Sequence, residues 1–128
     1  SLLSLLTYQR NMIWQSRISL WKDAVKKSPQ LLRPHVKLGV AYLDAKMFDE
    51  ALHEFDEALK INPYHQKVLI NKQITRRAKA KAHIIRSLQY KKEGKFPEAF
   101  EEMLKARRLG INVPPSYLNE LQERISHP

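Results

Sequence analysis

The chain has 128 residues, carries 23 lysines and arginines against 13 acidic residues for a formal net charge of +10, and contains no cysteine. A chain of this length buries roughly two-thirds of the surface that it exposes when unfolded, so it can fold as one domain without crosslinks. The composition excludes a disulfide framework and a thiolate metal site, and the excess of positive charge favours anionic partners.

The first residues of the chain form an apolar run, Ser-Leu-Leu-Ser-Leu-Leu-Thr. This run is far shorter than the roughly 20 residues that a membrane-spanning helix needs. It also lacks the basic start and the cleavage site of a complete signal peptide. Since the chain has no initiator methionine, we expect a fragment whose upstream part has been removed.

The middle of the chain carries small, aromatic and proline residues at fixed intervals: His35, Leu38, Gly39, Tyr42, Ala51, Phe55, Ala58 and Pro63. Glycine inside a helix costs about 1 kcal/mol relative to alanine, so Gly39 is expected where a neighbouring helix comes very close. Tyr42 and Phe55 are expected to fill the space between two paired helices, and Pro63 to end the second of them.

This pattern resembles the tetratricopeptide repeat (TPR), in which Trp, Leu-Gly, Tyr, Ala, Phe and Pro recur at the same intervals. His35 replaces the leading tryptophan, and we expect a packed histidine there rather than a ligand. The resemblance implies a pair of antiparallel helices that stacks with its neighbours and offers an extended surface to other proteins.

Residues of the same kinds occur earlier in the chain at one constant offset, which we call the backward shift. Pro63, Ala58, Phe55 and Tyr42 correspond to Pro29, Ala24, Trp21 and Tyr8. Gly39 and Ala51, however, correspond to Leu5 and Arg17. The repeat over residues 1–29 is therefore predicted to be degenerate, with a first helix that begins at or before Ser1.

A single forward shift, which takes Tyr42 to Tyr90, finds a third repeat. Phe48, Glu50, Ala51 and Ala58 then correspond to Phe96, Glu98, Ala99 and Ala106, and Gly39 to Ser87. The step from Tyr42 to Tyr90 is longer than the step from Tyr8 to Tyr42 by the length of about four helical turns. Because residues 66–92 contain no glycine, proline or acidic residue, we predict one lengthened helix there; the alternative is a break near Thr75.

The C-terminal part is predicted to hold two more helices. Gly94 and Pro97 mark a turn, and the helix that follows runs from about residue 97 to 109 and ends at Gly110. Pro114 and Pro115 open a final helix over roughly residues 117–125. Its Tyr117, Leu118, Leu121 and Ile125 are expected to cover the end of the core.

Together these elements predict an all-α protein, an α-α superhelix. It is a TPR-like solenoid of antiparallel helix pairs with one lengthened helix and a C-terminal capping helix. We expect a single domain over residues 1–128, divided into a degenerate repeat (1–29), a full repeat (30–63), a repeat with a lengthened first helix (64–112) and the cap (113–128). An ordinary helical bundle is the alternative.

A second, narrower resemblance concerns the N-terminal part of the chain. It rests on Leu6, Thr7, Tyr8, Gln9, Arg10, Asn11, Trp14, Leu20, Trp21, Ser28 and Pro29, followed by Arg33, Pro34, His35, Leu38 and Gly39. This string is similar to the junction at which bacterial multi-spanning membrane proteins of the glycosyltransferase type end their last membrane helix and begin a TPR tail. Residues 1–6 would then be the water-side end of a membrane helix; the alternative is that these leucines pack within the helical stack.

That second resemblance determines the expected location and one alternative function. It implies a soluble domain attached to a bacterial inner membrane, with membrane association through residues upstream of Ser1, and otherwise a cytoplasmic protein. In this alternative the module is the regulatory tail of a membrane-embedded glycosyltransferase-like protein.

The inner face of the stack is the predicted partner-binding surface. Helical spacing places these side chains on it: Arg33, Val36, Lys37, Val40, Leu43, Lys81, Ile84, Leu88 and Lys91. Asp44 shares this spacing in the central repeat, and the forward shift also places Ile85 and Lys92 there. An apolar floor with basic edges suits a peptide or protein with apolar anchors and acidic flanks. The alternative is that Val36, Val40, Ile84 and Leu88 are covered as core.

The basic segment over residues 67–92 suggests an anionic polymer or lipid as an alternative partner, with Lys72, Arg76, Arg77 and Lys79 as its contact residues. Nucleic acid is disfavoured because no aromatic side chains interleave with the charges as base-stacking platforms. We favour a solvated helix whose charges are paired with carboxylates such as Glu98, Glu101 and Glu102.

No enzyme signature is present in the sequence. It has no glycine-rich phosphate loop, no histidine pair at zinc spacing and no cysteine nucleophile, and we expect neither a metal nor a cofactor. The acidic residues over 49–57, including Glu54, are interpreted as the solvated side of a helix. We therefore predict a protein-binding scaffold rather than an enzyme. The exposed end faces of a short stack also suggest a homodimer.

Overall fold

The computed structural model describes residues 1–127, and these residues form six α-helices. The helices are α1 (Leu2–Lys27), α2 (Leu32–Asp44), α3 (Phe48–Ile61), α4 (Gln66–Lys92), α5 (Phe96–Arg108) and α6 (Pro115–Ser126). They pack in sequential antiparallel pairs, and no strand occurs among the described residues. The predicted all-α, TPR-like fold class is confirmed.

The chain divides into two compact units. The first unit is Ser1–Thr75 and the second is Arg76–Pro128. The division falls within α4, which is nevertheless a single helix of 27 residues. The prediction of one lengthened helix is confirmed, and the alternative of a break near Thr75 is wrong. Thr75 keeps its hydroxyl satisfied inside the helix, because Oγ1 donates to the Asn71 carbonyl at 2.7 Å.

The N-terminal segment differs from the helix pair that a repeat would contain. α1 is one continuous helix of 26 residues, and Ser1 caps it because its Oγ accepts a hydrogen bond from the Ser4 N–H. Residues 1–27 contain no glycine or proline. Without a residue that favours a turn, the helical hydrogen bonding continues to Lys27, and Pro29 then follows the helix end.

The two tight interhelical turns are formed in the same way, at positions that the forward shift relates. Between α2 and α3, Lys46 adopts a left-handed conformation (φ 61°), and the Met47 N–H donates to the Tyr42 carbonyl at 2.9 Å. Between α4 and α5, Gly94 adopts that conformation (φ 77°), and the Lys95 N–H donates to the Tyr90 carbonyl at 2.8 Å. The correspondence between the two repeats therefore extends to the backbone.

The core of the first unit lies where the residue pattern predicts it. Its buried residues include Leu38, Tyr42, Ala51, Phe55, Ala58 and Val68. A Cβ atom on Gly39 would lie 2.5 Å from Phe55 Cε1, so glycine is required for the close approach of α2 and α3. From α1, Ile18, Trp21 and Val25 pack against this core.

The core of the second unit is closed by α6. Ala80, Met103, Ala106, Val113 and Leu118 form its buried cluster, and Leu121 is fully buried as well. The expectation that Leu118 and Leu121 cover the core is confirmed. Ile125 is exposed instead, because it lies in the last turn of α6.

Candidate partner-binding surfaces

In the first unit, the predicted floor of the binding face is mostly part of the core. Val36 is 8% exposed and belongs to the buried cluster, and Val40 and Leu43 pack against that cluster. The assignment of Val36 to an open floor is therefore wrong. The reason is that α2 packs on α1 as well as on α3, so two of its sides are covered. Arg33 and Lys37 remain exposed.

In the second unit, the predicted face divides into packed and exposed residues. Ile84 packs against the core, whereas Lys81, Ile85 and Leu88 are exposed. Lys91 is half-buried against α6. Its Nζ lies 3.0 Å from Glu120 Oε1 and 5.0 Å from the centroid of the Tyr117 ring. Lys91 therefore joins α4 to α6 and is not a free contact residue.

Several charges of the basic segment are neutralised within the fold. Lys72 Nζ lies 2.6 Å from Asp56 Oδ1, and Arg86 Nη1 lies 3.7 Å from Glu102 Oε2. Lys79 also makes an interaction within the fold. Arg76 and Arg77 are exposed. The expectation that carboxylates of the fold pair with this segment is confirmed for Lys72 and Arg86. Lys72 is therefore not a free cation that could bind an anionic polymer.

Each unit contains a buried histidine–glutamate pair that joins two helices. His35 Nδ1 on α2 lies 2.7 Å from Glu54 Oε2 on α3. His83 Nδ1 on α4 lies 2.5 Å from Glu102 Oε2 on α5. The two partners are separated by the same interval along the chain in both pairs. The forward shift also takes His35 to His83 and Glu54 to Glu102, so the two pairs are counterparts.

The hydrogen bonds of His35 define its chemistry. Nε2 lies 2.7 Å from the Pro29 carbonyl oxygen. A carbonyl oxygen can only accept, so Nε2 carries a hydrogen. His35 Nδ1 and Glu54 Oε2 must then share one further proton, with either group carrying it. Both ring nitrogens are engaged, so His35 is neither a general base nor a metal ligand. The expectation of a packed histidine is confirmed.

Glu54 corrects an expectation from the sequence. It is 8% exposed, whereas the acidic residues over 49–57 were expected to lie on a solvated side. Glu54 lies with Ala51, Phe55 and Ala58 on the side of α3 that faces the core. That side repeats at intervals of three, four and seven residues. This spacing, together with the forward shift that relates the two pairs, is the signal that could have identified Glu54.

The ionisation of Glu102 follows from its surroundings. Burial raises the pKa of the Glu102 carboxyl, but hydrogen bonds from His83 and Lys105 lower it more, and the net pKa lies below the ordinary value of 4.5. Glu102 is therefore a carboxylate at neutral pH. It accepts from His83 Nδ1–H, and its other oxygen accepts from Lys105 Nζ at 3.2 Å.

The N-terminal half of α1 carries an exposed apolar surface. Leu2, Leu3, Leu5, Leu6, Tyr8, Met12 and Ile13 are all exposed. The alternative that these leucines pack within the stack is therefore wrong. Arg10 lies over the ring of Trp14, with 5.1 Å between its guanidinium carbon and the ring centroid. Within residues 1–127, no helix is long and apolar enough to cross a membrane.

The described residues hold no group of three or more histidine, aspartate or glutamate side chains placed to bind a metal ion. The buried polar side chains are accounted for by contacts between helices, as in the two histidine–glutamate pairs and in Ser87, whose Oγ donates to the Ala99 carbonyl at 2.7 Å.

Comparison with known proteins matches the central helix pair to one family. Residues 33–65 match the family model of the tetratricopeptide repeat. A solved structure of MamA AMB-1 is 27% identical to this chain, with a TM-score of 0.43. The match covers 85% of this chain and 52% of MamA AMB-1, so this chain spans about half the length of that protein. No curated protein matches the chain. The central helix pair is TPR-like in sequence and fold, and repeats of this kind are typically non-catalytic scaffolds for protein–protein interaction.

Proposed function

We propose that this protein is an interaction module that binds a peptide or a partner protein through exposed helix faces, those of α2 in the first unit and of α4 in the second. The exposure of Ile85 (57%) and Leu88 (51%) on α4 carries this proposal. Packing accounts for the neighbouring Ile84, whereas Ile85 and Leu88 lie outside the core cluster. Two large aliphatic side chains beside each other on a helix surface are anchors that a partner can bury.

Exposed cations on these faces support an acidic partner. Arg33 and Lys37 on α2 are exposed, and so is Lys81 on α4. Cations at the rim of an apolar contact speed association with acidic partners and select among them, while the buried apolar side chains provide most of the affinity. The proposed contact residues do not include Val36, which is buried in the core, or Lys91, which is paired with Glu120.

A capture experiment at two salt concentrations tests this function. The full chain is used as bait at about 0.05 and 0.5 M salt, where exposed ionic contacts are respectively felt and screened. We expect a defined protein to stay bound at high salt and to be lost from a Leu88→Ser bait. Tyr64→Ser is the matched control, because Tyr64 is also exposed but lies in the first unit. Retention that is equal on both variants, or none at high salt, would contradict the proposal.

A second candidate function is attachment to a membrane surface through α1. The exposed leucines over residues 2–6 support it, as does the absence of an acidic residue before Asp23. Thr7 Oγ1 donates to the Leu3 carbonyl at 2.9 Å, so its hydroxyl is satisfied within the helix. Tyr8, Arg10 and Trp14 follow, and such residues anchor helices at the water interface of a bilayer. In this setting the module is the tail of a membrane-embedded, glycosyltransferase-type protein whose catalysis lies elsewhere.

Sedimentation with lipid vesicles tests the second candidate. The full chain is expected to sediment with vesicles that contain phosphatidylglycerol, because leucines enter the interface and basic side chains meet anionic headgroups. The double variant Leu3→Ser/Leu6→Ser should stay in the supernatant, whereas Ile61→Ser, at another exposed apolar residue, should sediment normally. Equal sedimentation of all three proteins would exclude α1 as the anchor.

A further inference from the structure

The exposed side of α4 in the second unit carries an ordered set of charged and apolar residues. We name it the α4 stripe and define it as Arg77, Lys81, Ile85, Leu88 and Lys92, all of which are exposed. At about 100° per residue these five positions fall within about 80° of the helix circumference, and they span about 22 Å along its axis. The stripe is thus one narrow, straight line of side chains.

The core-facing side of the same helix is fully used for packing. Ala80, His83 and Ser87 are buried, and His83 and Ser87 bond to α5 through Glu102 and the Ala99 carbonyl. The centre of this side lies about 130° around the helix from the centre of the stripe. Packing within the second unit therefore does not require the side chains of the stripe.

The cations of the stripe differ from neighbouring lysines in their ion pairing. Among the residues that the structure describes, Lys91 pairs with Glu120 and Lys95 with Glu93, whereas no carboxylate pairs with Arg77, Lys81 or Lys92. α4 itself contains no acidic residue. The stripe consequently offers three positive charges, unpaired within residues 1–127, to a partner.

The order of residues along the stripe indicates which partner fits. Ile85 and Leu88 form an apolar centre that covers about one helical turn. Lys81 and Arg77 lie beyond one end of this centre and Lys92 beyond the other. A complementary surface has apolar side chains in its middle and carboxylates at both ends. We infer that the α4 stripe binds an amphipathic helix of another protein, in which an apolar centre is flanked at both ends by acidic residues.

A helical partner fits better than an extended one because of backbone hydrogen bonding. The backbone groups within α4 are paired inside the helix, so the stripe offers no ladder of donors and acceptors to an extended peptide. A helix satisfies its own backbone and presents side chains at intervals of about 6 Å, which is the spacing of residues four apart on α4. Two such helices can align over the whole length of the stripe.

A lipid surface and a second copy of the chain fit the stripe less well. In helices that lie on membranes, basic side chains border the apolar face, whereas Lys81 and Lys92 are in line with Ile85 and Leu88. Insertion of the apolar centre would therefore draw these charges toward the hydrocarbon. A second copy that used the same stripe would bring like charges together.

This inference rests on the proposed protein-binding function and names the partner class for α4. The probe that tests it is a labelled helical peptide of about 18 residues with leucines in the middle of one face and glutamates at both ends of that face. The matched peptide has lysines in place of the glutamates. Binding of both peptides to the full chain is measured by fluorescence anisotropy at low and moderate salt.

We expect the charge of the peptide ends to determine which peptide the protein binds more tightly. The wild-type protein should bind the glutamate peptide at least about 10-fold more tightly than the lysine peptide. Lys81→Glu/Lys92→Glu should reverse this preference. Lys22→Glu/Lys26→Glu is the control, because it has the same net charge as Lys81→Glu/Lys92→Glu but alters exposed residues of α1. It should show the wild-type preference. Leu88→Ser should weaken binding of the glutamate peptide without reversing the preference.

Three outcomes would overturn the inference. One is that the wild type binds both peptides equally or binds neither. Another is that Lys81→Glu/Lys92→Glu keeps the wild-type preference. The third is that the wild type binds neither peptide but binds phosphatidylserine vesicles, and that Lys81→Glu/Lys92→Glu abolishes this vesicle binding. If a captured protein is retained at high salt but is not displaced by the glutamate peptide, the inference fails while the proposed function stands.

Discussion

Replacing Glu54 with leucine is expected to lower the free energy of unfolding by about 3 kcal/mol, because it removes one partner of a buried pair. His35 would keep its hydrogen bond to the Pro29 carbonyl but lose the acceptor or donor opposite Nδ1. With both side chains almost inaccessible, water cannot replace the lost contact. Urea unfolding at neutral pH, followed by circular dichroism, measures the loss.

A double variant separates the pair from the packing around it. Apolar residues that replace both partners of a buried pair are often neutral or stabilising. His35→Phe/Glu54→Leu should therefore recover most of the stability that Glu54→Leu loses, apart from the contribution of the His35 hydrogen bond to the Pro29 carbonyl. Strictly additive losses, or a single-variant loss under about 0.5 kcal/mol, would show that the contact contributes little. The same cycle on His83 and Glu102 gives an independent repetition in the second unit.

Phe55→Ala is expected to lower the free energy of unfolding by about 3–5 kcal/mol. Phe55 is fully buried, and its ring lies against Gly39 within the core of the first unit. Its removal leaves a cavity that the two tightly packed helices cannot close. Phe48→Ala is the control, because Phe48 is only half-buried at the start of α3 and should cost clearly less.

The contact between Gly39 and Phe55 provides a stricter test. Gly39→Ala alone should destabilise the protein, since the new Cβ would lie 2.5 Å from Phe55 Cε1. Combined with Phe55→Ala, the same substitution places a methyl group in the vacated space. The double variant should therefore be more stable than the sum of the single losses predicts, as measured by urea unfolding. Equal or greater loss would mean that the helices already separate in Phe55→Ala.

The two histidine–glutamate pairs suggest how this protein joins the helices within each unit. A tryptophan at the position of His35 would fill space without direction, whereas the imidazole bonds to one oxygen on α3 and to the Pro29 carbonyl. Directed bonds of this kind constrain how far one helix can slide along the other. The recurrence of the pair at His83 and Glu102 indicates that the same constraint holds α4 and α5 together.

The sequence by itself determined the features that depend on local chemistry. Gly94 and Pro97 predicted a turn between α4 and α5, and the structure confirms it with Gly94 in the left-handed conformation. The correspondence between the central and third repeats related Ala51 and Ala58 to Ala99 and Ala106, and all four are fully buried. The absence of glycine, proline and acidic residues predicted the unbroken α4. These features follow from conformational preference and from helical periodicity, which neighbouring residues along the chain are sufficient to specify.

Only the tertiary structure decided which apolar and charged side chains are covered. Helical spacing placed Val36 and Leu88 on the same kind of face, but α1 and α3 together bury Val36, while nothing in the described part of the second unit covers Leu88. Glu54 lies on the buried side of α3, but its partner is His35 on another helix, and only the tertiary structure shows that contact. Burial is a property of the helices that surround a residue. Periodicity along one helix identifies an apolar side, but it cannot show which neighbouring helix, if any, packs there.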